Sequence, residues 1–296
     1  MMRITIAATW LLLAVSPASG QHAPAESTVV ITLGTGTPRP LPDVMGPATA
    51  VVVGERVFLF DAGVAVERRL AGAGLPTNGV TAAFITHLHS DHVLGLPDLI
   101  FSSWMFGRTR PFPVYGPAGL KPMIEHLYEA FREDIANRES EYGVRGGYQV
   151  EPRAIRPGVV FDSGGVRVTA FSVLHGEWRE AYGYRIDTPT RSIVISGDTR
   201  PSEELVRMAT GVDVLIHEVH PASVRQIGNR PSVDWPKYIS EHHTTSIQLG
   251  ELAARANPKL LIVYHNSRRV TAQELIADIR KSFAGAIVIG EDLGRY

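Results

Sequence analysis

Short apolar runs rich in Val and Ile recur along the chain, and each has the length and composition of a β-strand. In the first half they fall at 28–33 (TVVITL), 48–53 (ATAVVV), 57–61 (VFLFD), 82–86 (AAFIT) and 112–115 (FPVY). In the second half they fall at 166–173, 182–186, 191–196, 212–216, 259–264 and 286–289. Helical periodicity covers 64–73, 92–106, 117–133, 201–209, 244–256 and 271–282. In each half, paired strands precede an alternation of strand and helix. Such mixing predicts an α/β protein with sheet layered between helices. The stretch 134–165 is rich in Gly, Pro and charge and reads as a loop or lid. It lies between motifs, so residues 21–296 are expected to form a single domain.

The first twenty residues stand apart. MMRITIAATWLLLAVSPASGQ places Arg3 before an apolar run over 4–15, then Pro17, then the small residues Ala18 and Gly20 ahead of Gln21. That is the layout of a signal peptide, residues 1–20. The run is too short for a spanning helix of about 20 residues. A secreted or periplasmic protein is expected, with no membrane attachment once processed. The chain has no cysteine. An exported chain without disulfides must be held by its core alone, and thiolate is removed from the candidate ligands and nucleophiles. The formal net charge is −1 and no basic run is present, which argues against nucleic acid as the main partner. A small-molecule substrate is the expectation.

The chemistry concentrates in ITHLHSDHVLG, residues 85–95. His87, His89, Asp91 and His92 crowd into the turn between a predicted strand and a predicted helix. If the strand ends here, alternation sends His87 and His89 to one face while Leu88 turns inward. Asp91 is expected at the helix N-cap, where free backbone N–H groups favour a carboxylate. Two imidazoles then reach one ion, and Asp91 with His92 reaches a second beside it. Nitrogen and oxygen donors suit zinc, with manganese or iron as substitutes. Two ions need further ligands. His175 closes the strand VRVTAFSVLHG, Asp198 closes RSIVISGD and His265 closes KLLIVYH. Each stands where strand ends converge at a sheet edge.

The order THLHSDH, a lone His, GDT, then a His after a C-terminal strand resembles the metallo-β-lactamase fold, a four-layer αββα sandwich with its metals at one edge. The resemblance runs from about residue 29 to 290. It implies that His87, His89 and His175 hold one metal, that Asp91, His92 and His265 hold the other, and that Asp198 bridges them. LGTGTPRP, FDAG, HEVH, EHHTTS and YHNSRR are similar to the ribonuclease Z branch. That likeness implies a proton donor, His243, held by Glu218. A carboxylate partner is expected to raise the pKa of His243 and fix its tautomer. His242 is expected to point elsewhere, and His217 and His220 to be mainly structural. Asp61, after the strand in LFDAG, is expected beneath the metals, hydrogen-bonded to a ligand. Gly34 and Gly36 are expected to allow a tight loop near the site. The chain departs from the tRNA-processing members in one respect. Their tRNA-gripping arm commonly lies between the third His and the bridging Asp, and here two predicted strands fill most of that interval.

The expected activity is that of an exported hydrolase with two divalent ions, zinc by preference. A metal-bridging hydroxide would attack a phosphodiester while His243 protonates the leaving oxygen, with Glu218 and the ligand Asp91 in support. Hydrolysis at a carbonyl (β-lactam, lactone or ester) or of an aryl sulfate is the alternative. Against the β-lactam reading, classical lactamases of the fold carry Cys or His where this chain has Asp198. Trp104, Met105, Phe106, Trp178 and Trp235 are candidates for an apolar wall, and Arg268 or Arg269 for contact with an anionic group. The habit of the family suggests a homodimer.

Overall fold

The computed structural model describes residues 27–143 and 145–296, and the predicted signal peptide lies outside the described residues. The first half supplies β1 (Thr28–Gly34), β2 (Ala48–Val53), β3 (Arg56–Phe60), β4 (Val80–Phe84), β5 (Phe112–Gly116) and β6 (Val150–Ala154). The second supplies β7 (Gly158–Ser163), β8 (Val166–Ser172), β9 (Tyr182–Asp187), β10 (Ser192–Ile195), β11 (Val214–Glu218), β12 (Leu260–Tyr264) and β13 (Ala286–Ile289). A last short strand, β14 (Gly294–Arg295), crosses back to pair with β1. Among the described residues two seven-stranded sheets result, ordered β14-β1-β2-β3-β4-β5-β6 and β13-β12-β11-β10-β9-β8-β7. Each is antiparallel where hairpins join neighbours and parallel where helices intervene.

The period-two alternation of the strands divides the core into three. Val30, Phe58, Phe60, Phe84, Tyr184, Ile216 and Tyr264 fill the space between the sheets. Their neighbours Ile31, Leu33 and Leu59 face outward against α1 (Val66–Gly72), α3 (Leu96–Met105) and α4 (Leu120–Ala130). Leu215, Leu261 and Val263 pack against α6 (Glu203–Ala209), α8 (Ser246–Ala256) and α9 (Ala272–Ile279) on the opposite side. The order is helix, sheet, sheet, helix. Stacked rings in the middle layer, Phe60 on Phe84 at 5.0 Å and Phe84 on Tyr115 at 4.9 Å, add about 0.5–1.5 kcal/mol per pair beyond their burial.

Two expectations need correction, and one helix was missed. The stretch 134–165 is not a loop or lid. It carries most of α5 (Arg132–Tyr142), then β6 and β7, the edge strands of the two sheets. Edge strands bury little, so their apolar signal is weak: four of the six β7 residues are exposed and the other two only half-buried. The helix expected over 92–106 is broken into α2 (Ser90–Val93) and α3. The backbone of 61–63 crosses there, with Ala62 N–H donating to His92 O (2.8 Å) and Gly95 N–H to Ala62 O (2.9 Å). A Cβ on Gly95 would stand 2.0 Å from Gly63 O, so only glycine permits the crossing. Finally, α7 (Trp235–His242) was not foreseen. It is short, begins with Asp234 accepting from Lys237 N–H (3.1 Å), and ends by presenting His243.

Candidate metal centre

β3, β4, β8, β10, β11 and β12 all end at one edge of the sandwich, and each end carries a polar residue that turns inward. Such strand ends are where α/β folds place their sites. β3 is followed by Asp61 in the left-handed region (φ 58), a conformation Asp tolerates better than most residues. Its carboxylate is the organising acceptor. Oδ1 accepts from Thr86 N–H (2.8 Å), and Oδ2 accepts from Thr86 Oγ1–H (3.0 Å) and His92 Nδ1–H (2.8 Å). Thr86 Oγ1 in turn accepts from His87 Nδ1–H (3.0 Å). One buried carboxylate therefore sets the tautomer of two histidines, directing both Nε2 atoms away from it. His175 is set the same way, its Nδ1–H donating to His242 O (2.8 Å).

The freed nitrogens converge. His87 Nε2 and His175 Nε2 lie 2.9 and 3.1 Å from His89 Nδ1. Four zinc ligands at about 2.0–2.3 Å have edges little longer than this. Beside them, Asp91 Oδ2 stands 3.2 Å from His265 Nε2 and 3.7 Å from His92 Nε2. Asp198 lies between the two groups. Its Oδ1 is 3.5 Å from His92 Nε2 and 3.5 Å from His265 Nδ1, while Oδ2 is 4.0 Å from His175 Nε2. The groups His87, His89, His175, Asp198 and Asp91, His92, His265 each have the compactness of an ion site.

The electrostatics ask for cations. Burial pulls His87 well below its ordinary pKa and takes His89 and His175 to about 4, leaving neutral imidazoles ready to coordinate. Burial would lower His92 and His265 too, but the carboxylates around them, Asp198 above all, hold both above the ordinary value. Burial pushes Asp198 up, and His265 and His92 more than reverse it, so it stays ionised. His92 Nε2 and Asp198 Oδ1 are buried without a hydrogen-bond partner. Orphaned donors and acceptors of this kind are costly, and a divalent ion between them satisfies both. The residues fit metal.

Beyond the ligands stands a second pair. Glu218 ends β11 with 1% of its side chain exposed, and its Oε1 accepts from Thr199 N–H (3.2 Å), Thr244 N–H (3.1 Å) and His243 Nδ1–H (3.2 Å). His243, Glu218, Asp91, Asp198 and His265 all line one cavity of about 460 Å³, with Arg39, Arg269, His220 and Tyr238 around it. The sequence profile of the β-lactamase superfamily domain matches residues 56–266. The chain belongs to the β-lactamase superfamily. It is a metal-dependent hydrolase with the metallo-β-lactamase fold. Ribonuclease Z of Mycobacterium bovis is 32% identical over 271 residues, 89% of this chain and 95% of that protein. Among solved structures, YhfI of Bacillus subtilis, a metallo-β-lactamase fold protein, matches with a TM-score of 0.70 at 20% identity, over 91% of this chain and 98% of that one. The short form of human tRNase Z matches with a TM-score of 0.69 at 23% identity, over 90% of this chain and 98% of that one.

Against this superfamily frame several sequence expectations shift. Asp91 is not the N-cap of α2. His89 holds that position and Asp91 sits in the first turn, which brings it toward His265. The pKa of His243 is not raised: burial takes it to about 4, and the pull of Asp198 is too weak to offset that. Burial, followed by the charge of Asp198, moves Glu218 well above its ordinary value. An anionic substrate in the cavity would favour a second proton on the imidazole, at Nε2. Of the expected apolar wall only Trp178 reaches the ligands. Its Nε1–H donates to His89 Nε2 (2.8 Å). Because an indole N–H only donates, an ion on Nδ1 would move the ring proton to Nε2 and push the indole aside. Trp104 is buried against Tyr148, Phe106 is 75% exposed and Trp235 packs on Tyr238. Arg268 turns inward to Thr35 Oγ1 (3.1 Å) and Gly290 O (2.9 Å), leaving Arg269 at the cavity. His242 stacks on Tyr238 at 3.9 Å and donates Nδ1–H to Tyr238 O (2.8 Å), yet its ring also stands edge-on to that of His175 at 5.2 Å, so it does not turn wholly elsewhere. Gly34 and Gly36 do form a tight loop, where a Cβ would meet Gly46 O at 2.0 Å and Met45 O at 2.7 Å. Arg39 and Tyr238 were missed. Arg39 follows the glycine loop in GTGTPRP, and nothing in its spacing marks it as facing a cavity.

Asp61→Asn keeps the shape and the left-handed backbone but turns one acceptor oxygen into a donor. Zinc affinity is expected to fall roughly 10- to 100-fold, read by competition with a chromophoric chelator. An unchanged affinity would detach Asp61 from the centre.

Proposed function

We propose that the processed chain is an exported phosphodiesterase acting on small substrates, with two zinc ions on the seven ligands. His87, His89 and His175 would hold one ion, Asp91, His92 and His265 the other, with Asp198 shared. Two divalent ions bound there would supply Lewis acidity toward a phosphoryl oxygen and an activated water at neutral pH. The chain's own residues do the rest. Arg269 and Arg39 stand around the cavity, where a guanidinium pairs with the free oxygens of a phosphate. His243, fixed through Nδ1–H by Glu218, offers Nε2 to the departing oxygen and, once protonated there, donates that proton to it. Asp61 and Thr86 hold the ligand rings in place throughout.

The observation that carries this reading is the Glu218–His243 pair, buried and facing the same cavity as both ligand groups. A diester with an alkoxide leaving group needs such a proton, and an activated ring-opening substrate needs it less. The likeness to ribonuclease Z supports phosphoryl chemistry. The short run from His175 to Asp198, filled mainly by β9 and β10, favours substrates smaller than tRNA. The zinc-loaded protein should hydrolyse bis(p-nitrophenyl) phosphate faster than nitrocefin or a lactone in initial-rate assays. Preference for either carbonyl substrate would overturn the reading.

A further inference from the structure

A second hollow, of about 470 Å³, opens beside the first. The two share Thr37, Pro38, Arg39, Pro40, Ser90 and Asp91 as walls. Beyond those the lining turns apolar, through Leu41, Pro42, Val44, Met45, Val64 and Leu94. Val64 is 49% exposed and Leu94 is 58% exposed, although the flanking Ala62, Val66, Val93 and Leu96 are buried. Leaving them in water forfeits stabilisation that their covering would recover. The groove is also built before anything enters it. Asp292 Oδ1 accepts from Thr35 N–H (3.0 Å) and its Oδ2 from Met45 N–H (2.8 Å), while Gly36 N–H donates to Met45 O (2.8 Å). The 35–45 loop is thereby pinned at both ends, and a preformed wall spares a ligand the cost of ordering it.

The groove joins the centre along the wall that Thr37–Pro40, Ser90 and Asp91 form between them. Ser90 and Asp91 line both hollows, whereas His243, Glu218 and His220 line the first alone. A group lying in the groove is therefore attached to phosphorus on the side away from the proton donor. We infer that the groove is a subsite for an unbranched alkyl chain that stays on phosphorus while the other alcohol leaves at His243. The substrate class this selects is a phosphodiester with one apolar substituent. The inference rests on the phosphodiesterase reading, and continuity with the catalytic cavity argues for a substrate chain rather than a protein partner.

The test uses methyl, butyl and octyl p-nitrophenyl phosphates with the zinc-loaded protein. Full burial of a methylene corresponds to roughly a fourfold gain and half-burial to about twofold. kcat/KM should therefore rise about tenfold from methyl to butyl and further to octyl. In Leu94→Asp, and separately in Met45→Ser, the octyl-to-methyl ratio should fall toward 1, each variant serving as its own control. Turnover of the methyl ester without a chain-length slope would overturn the subsite alone. A flat slope in a protein whose oligomers dissociate on Leu94→Asp, seen by light scattering, would also overturn it and assign the groove to contact between copies. No turnover of any ester would overturn the phosphodiesterase reading and this inference with it.

Discussion

Asp198→Ala is expected to lose metal from both positions together and to lower kcat/KM by roughly three orders of magnitude. The carboxylate's two oxygens face different ligand groups, Oδ1 toward His92 and His265 and Oδ2 toward His175. A ligand confined to one group would, when removed, leave the other intact. Asp198 also holds the imidazoles of His92 and His265 in balance. Without it these buried rings keep fewer negative neighbours, and the space between the two groups loses the charge that attracts a cation. Losing ion-derived stabilisation of about 4 kcal/mol in the transition state gives the predicted thousandfold. Elemental analysis of the purified variant decides the matter. A metal-to-protein ratio equal to the parent's would refute a shared ligand, and a far-ultraviolet circular dichroism spectrum like the parent's would show that the fold survived.

His243→Ala should divide substrates by their leaving groups. With p-nitrophenolate, which departs without help, the loss should be about tenfold or less. With a simple alkoxide it should reach roughly 10²- to 10⁴-fold, the usual span of general acid catalysis. The reason is geometric. Glu218 Oε1, fixed by the Thr199 and Thr244 amides, holds His243 Nδ1, so the ring has one nitrogen left for the substrate. Glu218→Gln should reproduce the pattern more weakly, because the amide keeps an acceptor for Nδ1–H but cannot take on the negative charge that steadies the imidazolium. The measurement is the slope of log kcat against leaving-group pKa. A slope as shallow in His243→Ala as in the parent would remove the acid role.

Much of this was legible in the sequence because two regular signals coincide. Period-two apolar runs mark buried strands, and a polar residue immediately after each run marks an edge. His175, Asp198 and His265 were found by that rule alone, and the structure brings all three to the His87–His92 turn. What escaped lacks such contrast. β6 and β7 are edge strands whose exposed positions dilute the pattern, and α5 buries only Ile135 among eleven residues. The break between α2 and α3 is imposed by the 61–63 backbone, distant in sequence, so no local signal in 92–106 reports it. The pKa of His243 failed for a like reason. Its carboxylate partner is readable as a pair, but the depth at which both are buried is a property of the folded sandwich.

The two ligand groups draw on both sheets. His87, His89, Asp91 and His92 follow β4 of the first, while His175, Asp198 and His265 follow strands of the second. Neither half of the chain can complete a coordination shell by itself. A chain with only one half folded would thus have no finished trap for a cation, and no hydrolytic competence, until the halves had closed on one another. Metal acquisition becomes a late checkpoint, one that registers completion of the whole sandwich rather than of any single part.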